Sequence, residues 1–164
     1  MDECAECGFR YVLEESPLAA SAIADGVAEV AVLLVRRSEV RRRRDPARWS
    51  PLEYGCHLRD VLLVQRERVL EARRSDTPTF TSMGRDERVD HDGYSAQDPA
   101  DVARQLGDAA LLFSNVLARL TPEDWERTVR YRYMGPAERS LRWVAVHTVH
   151  EVRHHLLDVQ RQVL

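Results

Sequence analysis

Apolar residues recur at helical spacing along four long stretches of this chain, and each stretch carries its own start signals. The first runs from Ser16-Pro17 to about Arg43. Ser16 reads as an N-cap and Pro17 as a first-turn proline, and the stretch beyond them is dominated by Ala, Val and Leu. Gly26 weakens this helix without stopping it. The second opens on Ser50-Pro51-Leu52-Glu53, a capping box with proline at the first helical position. Leu58, Val61, Leu62, Gln65 and Val69 then keep helical spacing to about Arg73. The third opens on Asp98-Pro99 and runs to about Leu120, burying Val102, Leu106, Ala109, Phe113, Val116, Leu117 and Leu120. The fourth begins near Ser140 and reaches the C-terminus. Its apolar stripe is Ala145, Val149, Val152, Leu156, Val159 and Val163.

The connections are less regular. Residues 74–97 form a long link, predicted to be a crossover that covers one end of the helices. "TPEDWE" at 121–126 reads as a short extra turn, and 127–139 as irregular or briefly extended. The pattern predicts an all-α four-helix bundle over residues 16–164, with the long crossover between helices two and three. Residues 1–15 precede it as an extension containing a Cys-x-x-Cys pair.

Composition changes this picture little. The chain has 164 residues, 44% apolar and 31% charged, which suits one domain with its own core. A net charge of −3 argues against a nucleic-acid binder. The basic run at 41–44 is flanked by Glu39 and Asp45 and reads as a solvated helix end. No apolar run is expected to reach membrane-spanning length, since "VAEVAVLLV" is short and contains Glu29. The N-terminus lacks the order of a secretory signal, so the expected location is cytoplasmic.

Two groups of residues carry candidate chemistry. Cys4 and Cys7, with Gly8 next to them, read as an ordered metal-free turn or a redox-labile pair, with half of a zinc knuckle as the other reading. Distant residues such as Cys56 or His91 would have to complete a metal site. The second group is "HTVHEVRHHLLD", which holds four of the six histidines. With the apolar stripe of that helix set at zero, Glu151 and His155 fall at about 240° and 280°, beside the core. His150 and His154 fall at about 140° and 180°, largely away from it, and His147 at about 200°. Two i, i+4 pairs therefore compete: His150/His154 by residue type, Glu151/His155 by direction. His57 on the second helix is the candidate third ligand, with Asp60 placed to orient it. His147 and Asp158 are the further expected orienting residues. Two imidazoles and a carboxylate leave a divalent metal open to water or substrate. The alternative is a wet helix face, with His57 a hydrogen-bonded boundary residue.

"WSPLEYGCHLRDV", "SDTPTFTSMGRDERV", "YSAQDPADVARQL", "DWERTV" and "VHTVHEVRHHLLDV" together resemble the DinB/YfiT-like superfamily across roughly residues 48–160. More narrowly, they resemble its actinobacterial branch, related to mycothiol-dependent maleylpyruvate isomerase. The resemblance implies a four-helix bundle holding one divalent metal through a helix-two histidine and an i, i+4 pair of the last helix. In many relatives that pair is two histidines; in the isomerase branch it is glutamate, then histidine. Alignment on His154-His155 and Asp158 places the ligands at His57, Glu151 and His155. The isomerase has a further C-terminal domain without counterpart in these residues, so its specific reaction is not carried over.

The function expected is a metal-dependent enzyme acting on a small-molecule substrate. Zinc is the first choice of metal, with nickel, iron or manganese as others. A low-molecular-weight thiol, mycothiol or bacillithiol, would be the co-substrate of an S-transferase, and Arg68 and Arg85 are candidates to hold an anionic group. The alternatives are a metal-dependent hydrolase, for which Glu53 is a poor base because it serves the cap, and a non-enzymatic metal-binding stress-response dimer. A homodimer formed through helices is expected, with no nucleic-acid and no membrane partner.

Overall fold

A computed structural model of the chain describes residues 3–132 and 137–163. In chain order it contains α1 (Ala19–Arg36), α2 (Pro51–Arg74), β1 (Thr79–Phe80), α3 (Arg85–His91) and α4 (Pro99–Leu117). Next come α5 (Pro122–Glu126), β2 (Thr128–Tyr131), β3 (Ala137–Ser140) and α6 (Leu141–Val163). The long helices α1, α2, α4 and α6 make the expected four-helix bundle, with α1 and α2 each packed on both α4 and α6.

Three helices start where their caps place them. Glu53 N–H donates to Ser50 Oγ at 3.2 Å, and Ser50 N–H donates to the Glu53 carboxylate at 2.7 Å. Asp98 accepts the N–H groups of Ala100 and Asp101 at 2.9 and 3.1 Å. Thr121 and Asp124 form a second capping box at the start of α5.

The first helix departs from expectation at both ends. Ser16 is no N-cap: it is buried within a 3-10 turn, Leu13–Leu18, and its hydroxyl accepts from Arg142 at 3.1 Å. The helix also stops at Arg36 rather than near Arg43. Beyond it, Val40 is buried and its carbonyl accepts the N–H of Leu52 at 2.9 Å, while Arg43 grips Glu53 at 2.8 and 2.6 Å. These tertiary contacts outweigh the helix propensity of the arginines, so the basic run lies in a loop and not on a helix end. The continuous helical segment Leu13–Arg36 is also, by length and composition alone, apolar enough to cross a membrane, contrary to expectation. Its Ile23, Val27, Val30 and Leu34 are buried in the bundle core, and Leu18, Val32 and Val35 are exposed.

At Gly26, α1 packs closely on α6. A Cβ there would lie 2.6 Å from Val152 Cγ1, inside contact distance, so a larger residue would force the valine or the helices to shift.

The crossover is structured. β1 pairs parallel to β2, Thr79 opposite Arg130, and β2 pairs antiparallel to β3, Thr128 opposite Ser140. The stretch read as irregular or briefly extended is thus two strands of a small sheet within the described residues; positions 133–136 lie outside them, as do 1, 2 and 164. The sheet ties the crossover to the start of α6. Asp60 of α2 anchors the rest of it, accepting Tyr94 Oη–H at 2.7 Å and Arg88 at 2.9 Å.

Candidate metal centre

His57 of α2 faces Glu151 and His155 of α6, one helical turn apart, across the contact between the two helices. Their ligating atoms all lie within 4.8 Å of one another. His57 Nε2 is 4.0 Å and His155 Nε2 is 3.8 Å from the same oxygen, Glu151 Oε2. Donors sharing a tetrahedral ion at its usual bond lengths stand about 3.3–3.5 Å apart, so small side-chain adjustments close the set.

The protonation states suit this reading. His57 is 4% exposed, and burial pushes its pKa down to about 3, with His155 adding to the effect and Glu151 opposing it. Burial alone would raise Glu151, but the imidazoles of His147, His155 and His57 around it hold its carboxyl below the usual range. At neutral pH the group therefore offers a neutral imidazole and a carboxylate, the forms a divalent cation binds. By the chemistry of its donors, the trio fits such an ion.

The surrounding residues sort unevenly against expectation. Asp158 Oδ2 lies 3.0 Å from His155 Nδ1, a contact that fixes the ring with Nε2 toward Glu151. His147 Nε2 is 3.7 Å from Glu151 Oε1, its ring stacked on Trp143 with centroids 4.5 Å apart. Asp60, in contrast, makes no hydrogen bond to His57. Its oxygens are taken by Arg59 Nε at 2.8 Å, Arg88 and Tyr94, charged and hydroxyl donors that outcompete a neutral imidazole. His57 Nδ1 is buried with no hydrogen-bond partner among the described residues.

The angular reading of His150 is also overturned. It is only 9% exposed, because the N-terminal segment lies across that face of α6. Phe9 and Tyr11 pack on its ring at centroid distances of 5.3 and 5.4 Å. The Tyr11 hydroxyl sits 2.9 Å from His147 Nδ1 and 3.0 Å from His150 Nδ1. Nothing in the sequence singles out Tyr11, because no local signal places residue 11 against residue 150. The same segment brings Cys4 and Cys7 to His150 and His154. Cys56 and His91, the anticipated completing residues, do not join them. Cys56 is buried 3.6 Å from Gln97 Oε1, and burial pushes its thiol up to about 12.

Two further groupings, His147/His150/Glu151 and His154/His155/Asp158, also lie close enough to share an ion. Both draw every donor from α6. Among the described residues, the His57 trio alone joins two bundle helices, and it lines a cavity of about 680 Å³. Arg68, Ser82, Met83 and Arg85 also line it. Arg68 donates to Thr81 O at 2.7 Å and lies over the Tyr131 ring at 5.1 Å; Arg85 lies over the Trp49 ring at 5.9 Å. The cavity is thus lined by α2 and α6, by Ser82, Met83 and Arg85 of the crossover, and by Cys4, Glu6 and Tyr11 of the N-terminal segment.

No curated protein matches this chain. Among solved structures it is similar to one described as "YfiT from Bacillus subtilis is a probable metal-dependent hydrolase with an unusual four-helix bundle topology". That likeness has a TM-score of 0.77 at 14% identity and covers 91% of this chain and 87% of the other, which establishes the shared fold. The profile of the DinB superfamily matches residues 28–159, a span that includes α2, the crossover and the ligand-bearing part of α6. The chain belongs to the DinB superfamily.

Proposed function

We propose that the chain is a divalent-metal-dependent enzyme that holds its metal through His57, Glu151 and His155. We propose further that it transfers a low-molecular-weight thiol to a small electrophile. The observation that carries the first part is the convergence of these three donors from α2 and α6 in the lining of a 680 Å³ cavity. Three protein donors leave a position free for substrate. A metal held by His57, Glu151 and His155 would supply a lowered pKa to a thiol or water bound at that position.

The surrounding residues favour a thiol as nucleophile. A thiol needs little further help once ionised, whereas attack by water is assisted by a base. Glu53 is held by Arg43 and its own cap, Asp60 by three donors, and Glu151 faces the metal position. Arg68 and Arg85 give the cavity wall positive charge, which suits an anionic thiol conjugate or electrophile.

One observation supports hydrolysis as the second reading. His147 lines the cavity beside Glu151, and burial holds its pKa below the ordinary value, so it is a neutral proton acceptor. The similar solved structure is itself described as a probable metal-dependent hydrolase.

The two readings separate in one experiment. Zinc-loaded protein is incubated with a generic electrophile, with and without mycothiol or bacillithiol. Thiol-dependent conjugation that vanishes in the metal-free protein and in His57→Ala supports S-transfer. Metal-dependent product release that ignores added thiol replaces it with hydrolysis, and no turnover above metal-free protein removes both.

A further inference from the structure

The cysteine pair at the N-terminus has a role the open centre does not use. We infer that Cys4, Cys7, His150 and His154 form a second metal site, a closed Cys2His2 zinc centre that clamps the N-terminal hairpin onto α6. Four observations carry this, and none depends on the cavity chemistry proposed above.

The first is convergence. One ligating atom from each of the four residues lies within 4.8 Å of all the others, although Cys4 and His154 are 150 positions apart. Cys4 Sγ stands 3.7 Å from His154 Nδ1. Tetrahedral zinc with two sulfur and two nitrogen donors would set these atoms about 3.3–3.8 Å apart, a small contraction from what is present.

The second is the local backbone. Cys4 N–H donates to Phe9 O at 2.8 Å, Gly8 N–H donates to Cys4 O at 2.8 Å, and Glu3 bridges to Arg10. Gly8 closes this turn at φ +69°, in the left-handed region that glycine adopts without strain. The tight hairpin turns both thiols toward α6. Both are free, with no disulfide between them.

The third is an unused nitrogen. His150 Nδ1 is held by the Tyr11 hydroxyl at 3.0 Å, while its Nε2 is buried with no hydrogen-bond partner among the described residues. A buried imidazole nitrogen left bare costs stability, and a metal would occupy it. Tyr11 meanwhile supplies the outer contact that ligating histidines normally have on their other nitrogen. His154 is arranged in the opposite sense: Nδ1 faces Cys4, and Nε2 lies 3.5 Å from Glu6 and 3.7 Å from Asp158.

The fourth is the spacing. Cys-x-x-Cys in one segment and His-x-x-x-His in another is the ligand pattern of structural zinc sites. Four protein donors close the coordination sphere, so the ion would hold structure and would not bind substrate. Binding would release one proton from each thiol, and the two thiolates would balance the charge of Zn2+.

Cobalt(II) titration of the full chain, monitored by optical spectroscopy and metal analysis, tests this. The wild type is expected to bind two equivalents, one of them giving thiolate-to-cobalt charge transfer. Cys7→Ser and His150→Ala are each expected to lose that band and one equivalent, while circular dichroism remains helical. His57→Ala is expected to lose the other equivalent and keep the band. His154→Cys, which keeps four protein donors as three thiolates and one imidazole, is expected to retain the band and bind zinc. The inference is overturned if the band survives His150→Ala, if the cysteine variants bind as much metal as wild type, or if Cys4 and Cys7 are recovered as a metal-free disulfide.

Discussion

Two i, i+4 pairs sit one residue apart on α6, and the structure gives them different company. Glu151/His155 faces α2 and meets His57, on a cavity that His150, His154 and Cys4 also line. His150/His154, rotated by about 100°, faces the N-terminal hairpin and meets two cysteines. The helix supplies equivalent geometry to both pairs. What differs is the segment packed against each: a bundle helix with one imidazole leaves a position vacant, and a hairpin with two thiols fills the set. The chemistry of a ligand pair is therefore decided by its partner segment as much as by its own residue types.

The largest expected effect comes from removing that partner. His57→Ala should lower metal affinity at the open centre by more than about 100-fold, beyond the range seen for losing a mere orienting residue. The Cys4/Cys7 group should be untouched, and calorimetric metal titration reads both sites separately. Equal losses at the two sites would mean that they act as one.

Asp158→Asn is next. Asp158 lies 3.0 Å from His155 and 3.7 Å from His154, so it touches both pairs unequally. Affinity at the open centre should fall about 10- to 100-fold, with a smaller change at the cysteine site. Arg48 and Arg161 also reach this carboxylate, each at 3.5 Å, so urea unfolding should accompany the titration.

Acid sharpens the comparison in metal-free protein. His57 has a folded pKa of about 3 and His150 of about 4, against an ordinary 6.5, because burial disfavours both imidazolium forms. The unfolded chain takes up these protons first. Stability is therefore full above pH 6.5 and is lost as pH falls from there toward 3 to 4. His57→Ala and His150→Ala should each flatten part of that slope in urea melts; a slope unchanged in both would contradict the assignment.

The smallest effect concerns the scaffold the pairs share. Gly26→Ala places a methyl 2.6 Å from Val152, which sits on α6 between the two pairs. Overpacking of this kind costs about 1–3 kcal/mol, partly offset by the better helix propensity of alanine. Unfolding midpoints should fall while both metal equivalents remain.

What is legible in the sequence is local. The capping signals at Ser50-Pro51 and Asp98-Pro99 place α2 and α4, because the groups that bond are two or three residues apart. Helix periodicity alone places Glu151 and His155 beside the core stripe, and the choice of that pair with His57 over His150/His154 comes from the family resemblance. Most of the errors are non-local. The Ser16-Pro17 start fails because Ser16 is engaged by Arg142, and α1 ends early because Arg43 is held by Glu53. Periodicity places His150 away from the apolar stripe, and nothing in the residues themselves shows that Phe9 and Tyr11 cover it. Asp60 stands at the right spacing from His57 but is claimed by Arg88 and Tyr94, about 30 residues downstream. The Cys-x-x-Cys motif is visible, yet the residues that join it lie among the histidines that compete for the open centre.

The most direct test is an anomalous difference map from crystals of zinc-loaded protein, collected on both sides of the zinc edge. The account expects a peak bounded by His57 Nε2, Glu151 and His155 Nε2, with one side open to the cavity. A map with no zinc at that position, or with the ion held only by α6 residues and His57 outside its coordination sphere, would contradict it.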